Sequence, residues 1–256
     1  MSRFFTHILR IVIFAALLLS VNKGAFAFDI PERLEFKISY AGVTAGYATQ
    51  EITKNGNNLY IVSTAHSADW LKLFFPVNDR IESVVAKNEN SLSKIGLPLS
   101  YKERIHEGPT NYRKDVEFDY AKLEVVTKDL IKNNSIVNKM TEQTYDTLSS
   151  FYYYRTVPLQ VGTSSFINIY DCKRLWNTEV QVLRKEKLKT DLGQFNTVVI
   201  KPVLMNSEGV FASTGDMYIW LTDDERRIPV QMKSKMKVGS ITATLVGGSY
   251  WPEKKR

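Results

Sequence analysis

The sequence predicts a mainly β protein: a curved antiparallel sheet or open, barrel-like sheet with one central short helix packed in its concave side, following an N-terminal signal helix. Three observations carry this expectation. Short runs rich in Val, Ile, Thr, Tyr and Phe recur from residue 33 onward, separated by Asn and Gly punctuation. Several of them alternate strictly between apolar and polar residues, as a strand with one wet face does. Only two segments in the mature chain read as helical.

The leader "MSRFFTHILRIVIFAALLLSVNKGAFAF" combines Arg3 and Arg10 with an apolar run from Ile11 to Val21 and the small-residue pattern Ala25-Phe26-Ala27. That is the pattern of a secretory signal peptide over residues 1–27, cut after Ala27. Its apolar run is too short for a membrane anchor, which needs roughly 20 residues. The expected products are a 1–27 signal peptide and a single β-rich unit over 28–256, periplasmic and without an integral membrane span. Setting aside Arg3, Arg10 and Lys23 leaves 31 basic residues against 27 acidic ones. So mild an excess does not mark a nucleic-acid binder, whose lysines and arginines cluster on one face.

In order along the chain, "RLEFKISYAG" places Leu34, Phe36, Ile38 and Tyr40 on one face, and "VTAGYATQEITK" continues it. "NGNN" at 55–58 turns the chain into "LYIVSTAHSA". The segment "ADWLKLFFP" predicts a short helical turn stopped by Pro76. Strands follow at "DRIESVVAK", "LSYKERIHE", "RKDVEFDY" and "KLEVVTK". The helix comes next, in "YDTLSSFYYYRTVP", closed by Pro158. "FINIYD", "EVQVLRKEKLKT", "FNTVVIKPVL" and "DMYIWLT" resume the sheet, with Gly193 and Gly215 at hairpin turns. In "PVQMKSKMKV", Val230, Met232, Ser234, Met236 and Val238 oppose Gln231, Lys233, Lys235 and Lys237, and "SITATLVGG" ends the sheet. A single continuous sheet covers these facts with fewer assumptions than two halves split near residues 130–160.

Catalytic and metal patterns are absent from the sequence, so no catalytic residue, metal or cofactor is expected. There is no Gly-x-Ser-x-Gly elbow, no His-Glu-x-x-His and no Cys-x-x-Cys, and His66 and His106 have no carboxylate at ligand-like spacing. Cys172 is the sole cysteine and reads as a partly buried small side chain. In "IWLTDDERRIPV", Asp223 and Asp224 read as a hairpin turn, with Pro229 tolerated where the next strand begins. Arg155 or Arg227 is placed to bind one of these aspartates bidentately.

In the helix, Thr144 or Asp146 caps the N-terminus, and Leu148, Phe151, Tyr152 and Arg155 fall on one face. That face plugs the sheet's concavity. Alternatively, aromatic hydroxyls and Arg155 line the mouth of a pocket, with Tyr153 or Tyr154 free to meet a ligand. Trp220, on the strand before the acidic turn, is a further candidate ligand contact.

At these residues the sequence resembles the bacterial exported family of domain-of-unknown-function 3108 (DUF3108). Matching segments run in order from "AGYA" at 45–48 and "DRIES" at 79–83, through "YDTLSSFYYYR" at 145–155 and "PLQVG" at 158–162, to "GQF" at 193–195 and "IWLTDDERRIPV" at 219–230. Tyr154 departs from that pattern, which expects an aliphatic residue there. The resemblance implies a mainly antiparallel β fold akin to the half-barrels of lipoprotein carrier proteins, with no established activity and no agreed site. An exonuclease label carried by some members fits neither the leader nor the missing metal-binding carboxylates.

The expectation is therefore a non-enzymatic periplasmic protein that binds an apolar or amphipathic envelope ligand, such as a lipid, or an envelope protein. Two alternatives remain. One is an envelope hydrolase using Asp146, Asp223 or Asp224 with Arg155, which requires those groups to converge in one cleft. The other is a purely structural assembly module, which requires a filled interior.

Overall fold

The computed structural model describes residues 28–87, 95–205, 216–236 and 238–251. The leader, its Ala27 cut and Gly215 lie outside the described residues. Fifteen strands form one sheet, in the order β8-β7-β6-β5-β4-β3-β2-β1-β15-β14-β13-β12-β11-β10-β9. In sequence they are β1 Glu32–Tyr40, β2 Val43–Asn55, β3 Asn58–Ser67, β4 Asn78–Lys87, β5 Ile95–Glu107, β6 Thr110–Asp119, β7 Glu124–Asp129 and β8 Asn134–Lys139. The second half comprises β9 Thr144–Asp146, β10 Ser164–Tyr170, β11 Leu175–Thr190, β12 Gly193–Met205, β13 Met217–Thr222, β14 Pro229–Lys235 and β15 Ser240–Gly248. Helix α1 is Asp69–Lys72 and helix α2 is Thr147–Tyr154.

Neighbours in this sheet are mostly neighbours in sequence, so the topology is two meanders. They are joined where β1 pairs with β15, from Leu34 opposite Gly248 to Tyr40 opposite Ile241. The other two edges, β8 and β9, remain unpaired with each other and leave the sheet open. The expected antiparallel open sheet is thus the observed one. The exception to antiparallel pairing is β9 with β10, because α2 lies between them as a crossover.

Two strands were not anticipated. β8, "NSIVNK", is exposed along most of its length and pairs on one side only, so it lacks the apolar alternation that marks a strand. β9 is three residues long and merges into the helix cap. The alternation of "PVQMKSKMKV" holds only as far as Lys235, and Met236 and Val238 are exposed in the turn beyond.

Alternate strands run in opposite directions, so turns collect at two rims. The first rim carries the β1/β2, β3/β4, β5/β6, β7/β8, β10/β11, β12/β13 and β14/β15 connections. The second carries the remaining connections and both ends of the described chain. Helix α2 follows β9, which points towards the first rim, and returns through the interior to the second.

Side chains of α2 separate the core into two parts. Leu148 and Tyr152 pack with Ile52, Leu59, Ile61 and Val85 from the first meander. Tyr154 packs with Val180, Val182, Val198 and Ile200 from the second. Phe151 and Tyr153 touch both clusters. Seen from the sequence, one apolar face was expected on this helix; enclosed by sheet on several sides, it buries Ser149, Ser150 and Tyr154 as well.

The "AGYA" segment has a packing reason. A Cβ at Gly46 would lie 2.3 Å from the His66 backbone carbonyl oxygen on β3, against which β2 pairs from Gly46 to Asn55. Gly46→Ala is expected to destabilise the fold by about 1–3 kcal/mol, through forced displacement of the β2/β3 ladder. Urea denaturation measures it, and an unchanged midpoint would refute the close approach.

Candidate functional site

Asp146 begins α2 as its N-cap: its Oδ1 accepts from the backbone N–H of Leu148 at 2.8 Å and Ser149 at 2.9 Å. Ser149 returns the contact by accepting the Asp146 N–H at 3.0 Å, completing a capping box. The other carboxylate oxygen takes a 2.6 Å bond from Ser83 on β4, which ties the helix start to the first meander. Asp146 is fully buried, and burial pushes its carboxyl pKa up, opposed by these hydrogen bonds.

At the other end, Arg155 closes α2 and is wholly buried. Its guanidinium makes a bidentate pair with Glu32 of β1, at 2.5 and 2.7 Å. It also donates to the Arg226 carbonyl at 3.2 Å and stacks over Phe28, 4.2 Å from the ring centroid. Tyr250 donates to Glu32 at 2.7 Å. Burial disfavours the guanidinium charge, yet Glu32 outweighs it and the Arg155 pKa is raised. Arg155 therefore meets the turn of "TDDERRIP", but through a backbone carbonyl; its carboxylate partner is Glu32, not an aspartate.

That turn is held by Asp224, whose Oδ1 accepts from Thr222 Oγ1 at 2.6 Å and from the N–H groups of Arg226 and Arg227. Asp223 pairs with Lys185 at 2.7 Å. Arg227 sits at a positive φ of 45° and makes no bidentate pair. Pro229 begins β14, as its missing N–H allows. Asp146, Asp223, Asp224 and Arg155 are thus each engaged by a different structural partner, and they do not converge in one cleft. Among the described residues no group of three His, Cys, Asp or Glu is placed to hold a metal ion. Cys172 is buried, and burial raises its thiol pKa.

The cavity lies elsewhere, between α2 and the second meander, with a volume of about 850 Å³. Ser150, Phe151 and Tyr154 form its helical wall, and Ile169, Val180, Ile200 and Ile219 its sheet wall. Towards the first rim the lining turns polar, with Asp171, Lys201 and Asp216. There Lys201 pairs with Asp216 at 2.8 Å, and Trp176 donates its indole N–H to Asp171 at 2.7 Å. Thr178 also borders the cavity, fully buried, with a hydroxyl that has no hydrogen-bond partner among the described residues.

Of the four residues expected to contact a ligand, Tyr154 lines this cavity, its hydroxyl 3.1 Å from Ser165 Oγ. The other three do not. Arg155 is held at the second rim by Glu32, and Tyr153 packs on Tyr145 with centroids 4.8 Å apart. Trp220 follows Ile219 on β13, and successive strand residues face opposite ways. With Ile219 on the cavity, Trp220 points outward and donates to Glu186 at 2.5 Å. Leu148 and Tyr152 are buried, whereas Phe151 is half-buried and lines the cavity. Trp176, Thr178 and Lys201 were missed; period two along β10 to β13 marks the inward residues but not where the interior is left unfilled.

The family model described as "Protein of unknown function (DUF3108)" matches residues 35–246. The chain belongs to the DUF3108 family. The two long DUF3108 segments, at 145–155 and 219–230, are the ones that meet through Arg155 and the Arg226 carbonyl. Among solved structures, the chain is similar to a β-barrel-like protein of family DUF1849 from Brucella abortus, with a TM-score of 0.55 and 11% identity. That match covers 86% of this chain and 97% of the other, and it is a likeness of fold. A lipoprotein candidate from Parabacteroides distasonis aligns with a TM-score of 0.35 and 11% identity, over 88% of this chain and 98% of its own. An exported-protein candidate with a YmcC-like fold from Bacteroides fragilis aligns with a TM-score of 0.33 and 10% identity, also over 88% and 98%. No curated protein matches the chain.

Two predictions test the anchors of this DUF3108 helix. Arg155→Ala leaves Glu32 buried and uncompensated, and is expected to cost about 3–5 kcal/mol in urea denaturation. The isosteric double change Glu32→Gln with Arg155→Met is expected to recover a substantial part of that loss, because it removes the stranded charge. At Asp146, Ala is expected to cost about 1–2 kcal/mol by loss of the cap, while Asn, which keeps one acceptor oxygen, costs less. The pH dependence has a definite sign. A carboxyl whose pKa is raised on folding binds protons more tightly in the native state, so its contribution falls as pH rises from about 4 through the raised value. Wild-type stability relative to Asp146→Asn should decline over that window and level off above it; the opposite slope would show a lowered native pKa.

Proposed function

We propose that this DUF3108 protein is an exported, periplasmic, non-enzymatic binding protein whose cavity takes an apolar or amphipathic ligand of the cell envelope. The observation that carries this reading is the cavity of about 850 Å³ between α2 and the second meander. Its size falls in the range of small-molecule sites, about 300–1,000 Å³, and its walls are mainly aliphatic and aromatic with few polar groups. A fully structural module would have filled that space with side chains, as the first meander does around Leu148 and Tyr152.

The polarity of the lining supports an amphipathic occupant over a uniformly apolar one. An acyl chain or comparable apolar body would lie along Phe151, Ile169, Val180 and Ile219, and its polar end would meet Asp171 and Trp176 near the first rim. The hydroxyl of Thr178 is an additional polar group without a hydrogen-bond partner among the described residues. Export is supported by the leader's sequence, with its two arginines, apolar run and Ala25-Phe26-Ala27.

Binding of the fluorescent fatty acid cis-parinaric acid tests the cavity directly. The mature protein is expected to bind it saturably, and Ile169→Trp, which fills the space from β10, is expected to weaken binding at least tenfold, or about 1.4 kcal/mol. Native mass spectrometry of protein purified from its own host should show a co-purifying amphiphile that the variant lacks. Absence of probe binding and of any adduct in the wild type would sink this reading.

A further inference from the structure

The apolar side chains left exposed are not spread evenly. Among the described residues eighteen large apolar side chains are exposed, and twelve of them sit at the first rim. The β3/β4 connection supplies Trp70, Leu73, Phe74 and Phe75, with Leu73 86% and Phe74 79% exposed. Tyr40 and Val43 flank the β1/β2 turn, and Leu130 and Ile131 form the β7/β8 turn. Met217 opens β13, while Met236, Val238 and Ile241 surround the β14/β15 turn. The second rim has instead "NGNN", "TDLG" and "TDDERRIP" in its turns, with Val161 as its exposed large apolar side chain among the described residues.

These tips are held in place. Trp70 donates its indole N–H to the Thr44 carbonyl at 2.9 Å, and Phe75 packs over Gly108, whose N–H donates to Pro76 at 2.8 Å. Tyr40 donates to the Val238 carbonyl at 2.9 Å. Helix α1 buries none of its residues, so packing in this chain does not account for its apolar content.

We propose that the first rim is a docking surface for a phospholipid bilayer. Apolar tips on five separate connections along one rim suit a broad surface that all can touch, whereas a peptide groove would gather its contacts between two or three elements. Residues 28 and 251 leave from the second rim, and β2, with 13 residues at about 3.3 Å each, sets the rims roughly 40 Å apart.

The exposed lysines Lys132, Lys173 and Lys235 at the rim are available to the phosphates of lipid headgroups. Asp69 pairs with Lys72, Asp216 with Lys201, and Asp129 and Asp171 accept backbone N–H groups of their own turns. Lys132, Lys173 and Lys235 make no ion pair among the described residues. Glu107 and Asp79, beside each other, likewise make no ion pair with a cation among the described residues, and burial raises the Glu107 carboxyl pKa. Trp and Phe tips with unpaired lysines around them are the composition that holds a protein at the level of lipid headgroups. The polar end of the cavity, at Asp216 and Met217, opens on the same rim, so docking would set it against the bilayer.

Flotation with phosphatidylcholine vesicles, with and without phosphatidylglycerol, tests the proposal on the mature chain. Wild type is expected to float with both and more strongly with phosphatidylglycerol. The paired change Leu73→Ser with Phe74→Ser should reduce partitioning at least about tenfold, since two large apolar side chains are removed. Phe166→Ser, also exposed but on the strand wall, should leave it unchanged, and all three proteins should share one unfolding midpoint. Trp70 fluorescence should shift to the blue on vesicle addition, measured against Trp70→Phe. No flotation of wild type, an equal loss in Phe166→Ser, or a dimer that the paired change disrupts without vesicle binding would each overturn the proposal. Ile169→Trp separates it from the cavity reading, because that variant should lose the fatty-acid probe and keep vesicle binding.

Discussion

The buried pair of Arg155 and Glu32 is the constraint on which the interior depends. Glu32 lies where β1 begins, beside the β1/β15 seam that joins the two meanders, and Arg155 ends the helix that runs between them. A guanidinium removed from water is tolerable only when its charge and donors are matched. Two Glu32 oxygens, the Arg226 carbonyl and the Phe28 ring provide that match, each from a different part of the chain. One side chain thereby fixes the position of the helix end relative to the seam and to the β13/β14 turn.

Once that end is fixed and Asp146 fixes the other against Ser83, the helix has little freedom to slide. Its contacts then become unequal. Against the first meander, Leu148 and Tyr152 are buried among Ile52, Leu59, Ile61 and Val85, and Tyr152 is fully buried. Towards the second meander, Phe151 and Tyr154 leave the cavity. A helix free to move would relax onto that side and reduce the void, since empty apolar space forfeits packing contacts. The polar anchors at both ends hold it away.

The same division gives the molecule two unlike ends. The ion pair, the aspartate-rich turn and both chain ends gather at the second rim, while exposed apolar tips and the polar end of the cavity gather at the first. No helix among the described residues is long and apolar enough to cross a membrane. The apolar side chains of the first rim lie in and beside its turns, which suits contact with a surface.

Strand identity and the inward or outward sense of most side chains were determined by the sequence itself, because period-two alternation is a local property that each segment carries alone. The helix cap was equally local: Asp146 and Ser149 are three residues apart. β8 and β9 escaped notice because their neighbours, not their own alternation, define them. Trp220 could have been assigned outward from the register of Ile219, yet its aromatic character suggested a ligand contact. The partner of Arg155 was beyond local reading, since Glu32 is 123 residues away and other carboxylates were nearer in sequence. Likewise the cavity is a mismatch between helix and sheet, and the apolar rim is a gathering of residues scattered from 40 to 241. Pattern along a chain is set by neighbours in sequence; which charges pair, where packing falls short and which tips share a surface are set by the order in which strands join.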